Sequence, residues 1–289
     1  MVGQKPPWQV EDVDVLAGGY TRDELVSAAR VRGFLEANTR RVTEYAALGL
    51  LDRPERRGRG RGKGVVSSWP TGQLELFCVL LSQRRRRAPL GGLGNAVVWL
   101  WLVWGDDYVP LRQVRRVLPT WLAAARSTTW TQAREGARET VRKIAHPHAE
   151  GKRELQRLLS EAGYRRQVDE EELLHAFRSV FDPRDSGRPR GPLGAQLTPE
   201  LYAGMVRARL AGEEHLAEFD DATFERARSI YRSSRASYAQ DFARLAADPE
   251  LGALFERPDA DEVANSACPD LVLILGYLWL ESRPTPVAS

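Results

Sequence analysis

Within Thr21–Trp69, two helix-start signals, a helix stop and an arginine/glycine stretch between two apolar runs follow one another, an order that few folds accommodate. "TRDELVSAARV" opens with Thr21 and carries Glu24 three positions on. That is the spacing of a capping box, in which each side chain satisfies a free backbone N–H of the first turn. Leu25, Ala28 and Ala29 fall at helical spacing behind it, and this helix is expected to end near Gly33. Asn38 is a good N-cap for a second helix, with Val42, Tyr45, Ala46 and Gly49 at intervals of three and four and Gly49 as its C-terminal glycine. Arg40, Arg41, Thr43, Glu44 and Ala47 make up the other, polar face. "LLDRP" and "GVVSSW" predict two strands joined by a loop too long for a tight hairpin. After Pro70, residues Leu74, Phe77, Cys78 and Leu81 mark a third amphipathic helix that runs out into Arg84–Arg87, where cations suit the helix dipole.

This order of elements is that of a winged helix-turn-helix. A single helix is narrow enough for the major groove of double-stranded DNA, and side chains near its N-terminus meet base edges there. Asn38, Thr39, Arg40, Arg41 and Thr43 occupy those positions, and Tyr45 joins them as a candidate DNA-binding residue. Arg56, Arg57, Arg59, Arg61 and Lys63 sit in the glycine-rich loop, too mobile for fixed base readout and suited to phosphates or the adjacent minor groove. Charge is distributed accordingly. Tyr20–Leu90 holds fifteen Arg and Lys against seven Asp and Glu, a surplus of eight in a chain of net +3, so the remainder stands at −5. A basic N-terminal module on an acidic body predicts a polyanion partner for the first part alone. RNA-binding Arg/Gly boxes interleave aromatics for base stacking, and none lies between Arg53 and Lys63. A plain solvated charge run is the remaining alternative for this loop.

These residues resemble the MerR-type winged-helix family. The likeness rests on "YTRDEL" (Tyr20–Leu25), "TRRVTEYAALGLL" (Thr39–Leu51), "RGRGRGKG" (Arg57–Gly64) and the helix from about Thr71, and is confined to Tyr20–Leu90 of 289 residues. Its most specific part is the run from Tyr45 to Leu51. Two features depart from the family pattern: the longer connection "RVRGFLEAN", and Glu44 where a second aromatic is usual. The resemblance implies a transcriptional regulator acting as a homodimer on inverted half-sites. It also implies a C-terminal region that either dimerises or senses a small-molecule or protein effector. Metal-sensing members use cysteines near the dimer helix; with only Cys78 and Cys268 here, no metal or other cofactor is expected. Two other classes fit the same module: an architectural DNA-binding protein of the excision or partition type, and a helical protein-interaction scaffold with a basic DNA tether.

The fold class expected is mainly α, an N-terminal winged helix-turn-helix with a short two-stranded wing followed by an all-helical C-terminal region. Residues 1–19 are expected as a tail, 20–90 as the DNA-binding domain, 91–150 as a Trp-rich helical region suited to dimerisation, and 151–289 as a helical domain without an assigned role. Gly91, Gly92, Gly94, Gly105, Pro110 and Pro119 are expected to break the Trp-rich part into short helices. A longer helix over Ser127–Ala145 carries Ala133, Ala137, Val141 and Ile144 on one stripe, and "HPHAEG" (His146–Gly151) looks like a boundary. Asp182–Gln196 reads as a linker, with helices before it and at Pro199–Gly212, Ala222–Ala246 and Ala260–Glu281, and with no strand expected after the second one.

Trp69, Trp99, Trp101, Trp104, Trp121 and Trp130 suit either an aromatic core or a ligand cavity. His146 and His148 would need further ligands to hold a metal. "DEEE" (Asp169–Glu172) is explained by a helix N-terminus, and no nucleophile-elbow, phosphate-loop, dinucleotide or zinc-protease motif occurs, so no enzyme is expected. "AVVWLWLVW" and "LVLILGYLWL" are about half the roughly 20 residues of a membrane span. With two distant cysteines and no leader-like N-terminus, a cytoplasmic protein away from membranes is expected.

Overall fold

The computed structural model describes residues 19–58, 65–146, 148–181, 189–190, 195–196, 198–246 and 264–283. Among these residues the chain is mainly helical, with eleven α-helices and two two-stranded antiparallel sheets. They group into two compact units that divide between Trp121 and Leu122. The Trp-rich segment expected over 91–150 is therefore shared between units, because its first helices pack with the N-terminal ones.

In the first unit, α1 (Arg22–Val31) starts in the expected capping box: Thr21 Oγ1 accepts from the Glu24 amide at 3.4 Å, and Glu24 accepts from the Thr21 amide at 2.8 Å. Next come α2 (Thr39–Ala47), β1 (Glu55–Gly58), β2 (Val65–Ser68) and α3 (Thr71–Arg85). Leu25 and Ala29 of α1, Val42 and Tyr45 of α2, and Leu74 and Phe77 of α3 form a common buried core. "LLDRP" is not a strand. Leu50 and Leu51 are 2% and 0% exposed and plug the core behind α2, so pairing starts only after Pro54. Glu55 then faces Ser68 and Gly58 faces Val65, while Tyr20 and Trp69 exchange two backbone hydrogen bonds of 2.8 and 2.7 Å.

A 3-10 turn (Leu90–Leu93) leads to α4 (Gly94–Trp104), which Gly105 ends, and to α5 (Leu111–Arg126). Pro119 does not break α5. Val114, Leu118 and Trp121 line one buried stripe of that helix, and their burial offsets the roughly 3 kcal/mol that an internal proline costs. Trp69, Trp101 and Trp121 are core residues, and Trp101 donates to Asp106 at 3.0 Å.

The second unit comprises α6 (Trp130–Ile144), α7 (Lys152–Arg165), α8 (Glu170–Val180), α9 (Pro199–Glu214), α10 (Asp221–Ala246) and α11 (Ala267–Glu281). The stripe Ala133, Ala137, Val141 and Ile144 is buried as expected. Val141 and Ile144 pack with Leu155 and Leu158 of α7 and with Leu173 and Phe177 of α8. Two-residue strands, Pro189–Arg190 and Ala195–Gln196, pair inside the stretch expected as a linker, a correction to the all-helical reading. The rest of that stretch, like residues 1–18 and 260–263, lies outside the described residues. The helices α9 and α11 cross with almost no side chain between them. A Cβ on Gly276 would overlap the Ala208 carbonyl and stand 2.8 Å from the Gly212 nitrogen. Among the described residues no helix is long and apolar enough to cross a membrane, and the apolar run of α11 is core.

Candidate functional site

Residues Thr39, Arg40, Thr43 and Glu44 of α2 line one shallow surface together with Arg22, the first residue of α1. Arg22 and Arg40 make no hydrogen bond or ion pair among the described residues, so both guanidiniums are available to a ligand. Thr43 donates to the Thr39 carbonyl at 3.0 Å and is exposed. The surface therefore offers two cations, two hydroxyls and one carboxylate from the start of α1 and the first turns of α2.

What holds this surface still lies beneath it. Gly49 adopts φ +77, a left-handed conformation that stops α2 and lets the backbone close on α5, where a Cβ would stand 3.1 Å from Arg116. Arg116 donates to the Ala46 carbonyl at the end of α2. Asp52, 3% exposed, is fixed at three points: its amide donates to Gln73 Oε1 at 2.7 Å, its carbonyl accepts from Trp69 Nε1 at 2.8 Å, and its carboxylate accepts from Arg112 at 2.8 Å. Gln73 donates to Gln113 at 2.8 Å, and Gln113 donates to the Leu50 carbonyl at 2.8 Å. A closed polar network thus ties the chain leaving α2 to α3 and α5. Asp52 pushes the Arg112 pKa up, whereas burial and Arg53 push that of Arg116 down against the pull of Asp52.

The long α1–α2 connection is anchored in the same manner. Arg85 of α3 forms a two-pronged pair with Glu36 at 2.7 and 2.8 Å, donates to the Gly33 carbonyl at 2.6 Å and lies 4.6 Å from the Phe34 ring centre. This hydrogen-bonded pair draws the Glu36 carboxyl below its usual range. One arginine of the Arg84–Arg87 run is thereby committed to the fold.

No protein-family model, curated protein or solved structure matches the chain. The site must therefore be judged on its own geometry.

That geometry divides the residues singled out from sequence. Thr39, Arg40 and Thr43 are exposed together, and Arg41 is half-buried at their side. Asn38 is a cap: its Oδ1 accepts from the Arg41 amide at 2.9 Å and its Nδ2 donates to the Glu36 carbonyl at 3.1 Å. Tyr45 is a correction. At 2% exposure its ring packs edge-on against Phe77, 6.0 Å between centres, and burial raises its hydroxyl pKa, so it belongs to the core and not to the surface. Arg56 is exposed on β1, and Arg57 pairs with Val66 through the backbone. Arg59, Arg61 and Lys63 lie outside the described residues. Arg22 was missed because its position beside Thr21 reads as helix start; its closeness to Arg40 is a tertiary fact. Among the described residues no three His, Cys, Asp or Glu side chains come together as metal ligands, and His146 accepts from the His148 amide at 3.2 Å.

Proposed function

We propose that the first unit is a winged helix-turn-helix of the MerR type that binds double-stranded DNA, with α2 in the major groove, in a transcriptional regulator. The observation that carries this reading is the exposed set Arg22, Thr39, Arg40 and Thr43 on a short capped helix that a buried network holds rigid. An arginine without an internal partner loses no ion pair when it meets a guanine edge or a phosphate, and Thr hydroxyls serve either. Glu44, on the same surface, would repel phosphates but accepts from a cytosine amino group, which favours base readout over mere backbone contact. The arginine/glycine stretch from Arg56 to Lys63 supplies phosphate neutralisation. Homodimer binding on inverted half-sites follows from the family resemblance and sets the half-site spacing to be looked for.

Selection of bound duplexes from a random pool, followed by titration of the best duplex and a scrambled one, tests the reading. An enriched inverted repeat is expected. Arg40→Ala should cost about 1–3 kcal/mol on the best site and much less on the scrambled one. Failure of the full chain to bind any duplex at moderate salt refutes the proposal, and strictly monomeric binding refutes its dimeric form.

A further inference from the structure

In the second unit α6, α7, α9 and α11 surround a cavity of about 530 Å³, within the range of small-molecule sites. One wall is made of small residues, Ala133 and Ala137 of α6 with Ala162 and Gly163 of α7, where a Cβ on Gly163 would already touch Ala133 at 3.5 Å. Met205 and Leu273 belong to the wall as well. Side chains this short leave space between the helices.

Three charged side chains line the cavity: Arg166, Arg209 and Asp270. The arginines are already engaged. Arg209 donates to the buried Glu213 at 2.7 Å, and Arg166 lies 3.3 Å from the same carboxylate and donates to the Ala125 carbonyl at 2.8 Å. Asp270 differs. Ser266 donates to its Oδ2 at 2.9 Å, and no cation forms an ion pair with it among the described residues. Burial raises its pKa to about 6, although Arg209 and Arg235 pull the other way.

We infer that this cavity binds a small, largely apolar molecule carrying one basic nitrogen, with Asp270 as its counter-ion. An anionic ligand would meet the Asp270 carboxylate and would share Arg166 and Arg209 with Glu213, a carboxylate only 3% exposed that already holds both. A cation instead reaches a carboxylate that has no ion-pair partner among the described residues and displaces no pair seen there. The inference concerns the second unit alone and holds whether or not the first unit binds DNA.

Calorimetric titration of the full chain with three probes that share an indolylethyl group tests it: cationic tryptamine, neutral indole-3-propionamide and anionic indole-3-propionate. Tryptamine is expected to bind at least about tenfold more tightly than either of the others. Asp270→Asn should bring tryptamine down to the level of the amide and leave the amide unchanged, with the variant shown to be folded by its melting transition. Equal or tighter binding of the propionate overturns the proposal. So does unchanged tryptamine binding by the variant, or no heat from any probe at about 5 mM.

Discussion

Asp270→Asn should stabilise the second unit at neutral pH, although it removes a charge. The folded carboxyl titrates at about 6 instead of the ordinary 3.8, chiefly because it is buried. A carboxyl with a raised folded pKa contributes its full stability below 3.8 and loses it as pH rises through 6, since the folded state must then ionise a group that water would solvate better. The difference of about two pKa units corresponds to roughly 3 kcal/mol withdrawn by pH 7. Asparagine has nearly the same shape, still accepts from Ser266 through its oxygen, and carries no charge to desolvate. Scanning calorimetry of both proteins from pH 4 to 8 should show nearly equal melting near pH 4 and a variant ahead by roughly 5–10 °C at pH 7. A variant less stable than the parent at pH 7 would show that the carboxylate is held by a stabilising partner, and a gap independent of pH would show that its folded pKa is not raised. A group that lowers stability in this way is what a binding site retains and a core does not.

Three further outcomes are expected. Gln113→Leu strands the buried Leu50 carbonyl and leaves the Gln73 amide only its 3.4 Å contact with the Tyr108 carbonyl, so urea unfolding followed by tryptophan fluorescence should report a loss of about 2–4 kcal/mol. Gly276→Ala drives a methyl into the Ala208 carbonyl and must part α9 from α11; a cost of about 2–3 kcal/mol or more in thermal unfolding is expected, and a silent substitution would refute the close crossing. Replacing Arg56, Arg57, Arg59, Arg61 and Lys63 by Ser should weaken all duplexes alike and flatten the slope of log affinity against log salt by about 0.9 for each phosphate no longer neutralised; an unchanged slope would remove the loop from the DNA reading.

What the sequence revealed is what is decided locally. The capping box at Thr21 and Glu24, the cap at Asn38 and the stop at Gly49 each depend on a few adjacent residues, and each stands where the pattern put it. The run at Leu50 and Leu51 misled because two adjacent leucines suit a strand and a core plug equally; only the network through Asp52, Gln73 and Gln113 decides between them, and its members are 21 to 63 positions apart in sequence. Pro119 misled for a related reason. A proline's local penalty is fixed, whereas the burial that offsets it depends on partners that periodicity does not name.

Tyr45 shows the limit most clearly. On α2 the spacing that placed Val42 and Tyr45 on one buried stripe also set Arg40 and Thr43 on the opposite side, so one periodicity already contained the division between core and surface. Assigning Tyr45 to both roles asked one ring to face two directions. The cavity beside Asp270 had no such signal. Its wall of alanines and glycines comes from α6 and α7 and its carboxylate from α11, more than a hundred positions later, so in sequence it is only a weak small-residue stripe and one acidic residue in the first turn of an apolar helix. Small residues mark a site only when the groups opposite them fail to close the space they leave. That is a property of the assembled helices, and it is why the surface on α2 could be expected from its residues while the cavity had to be seen.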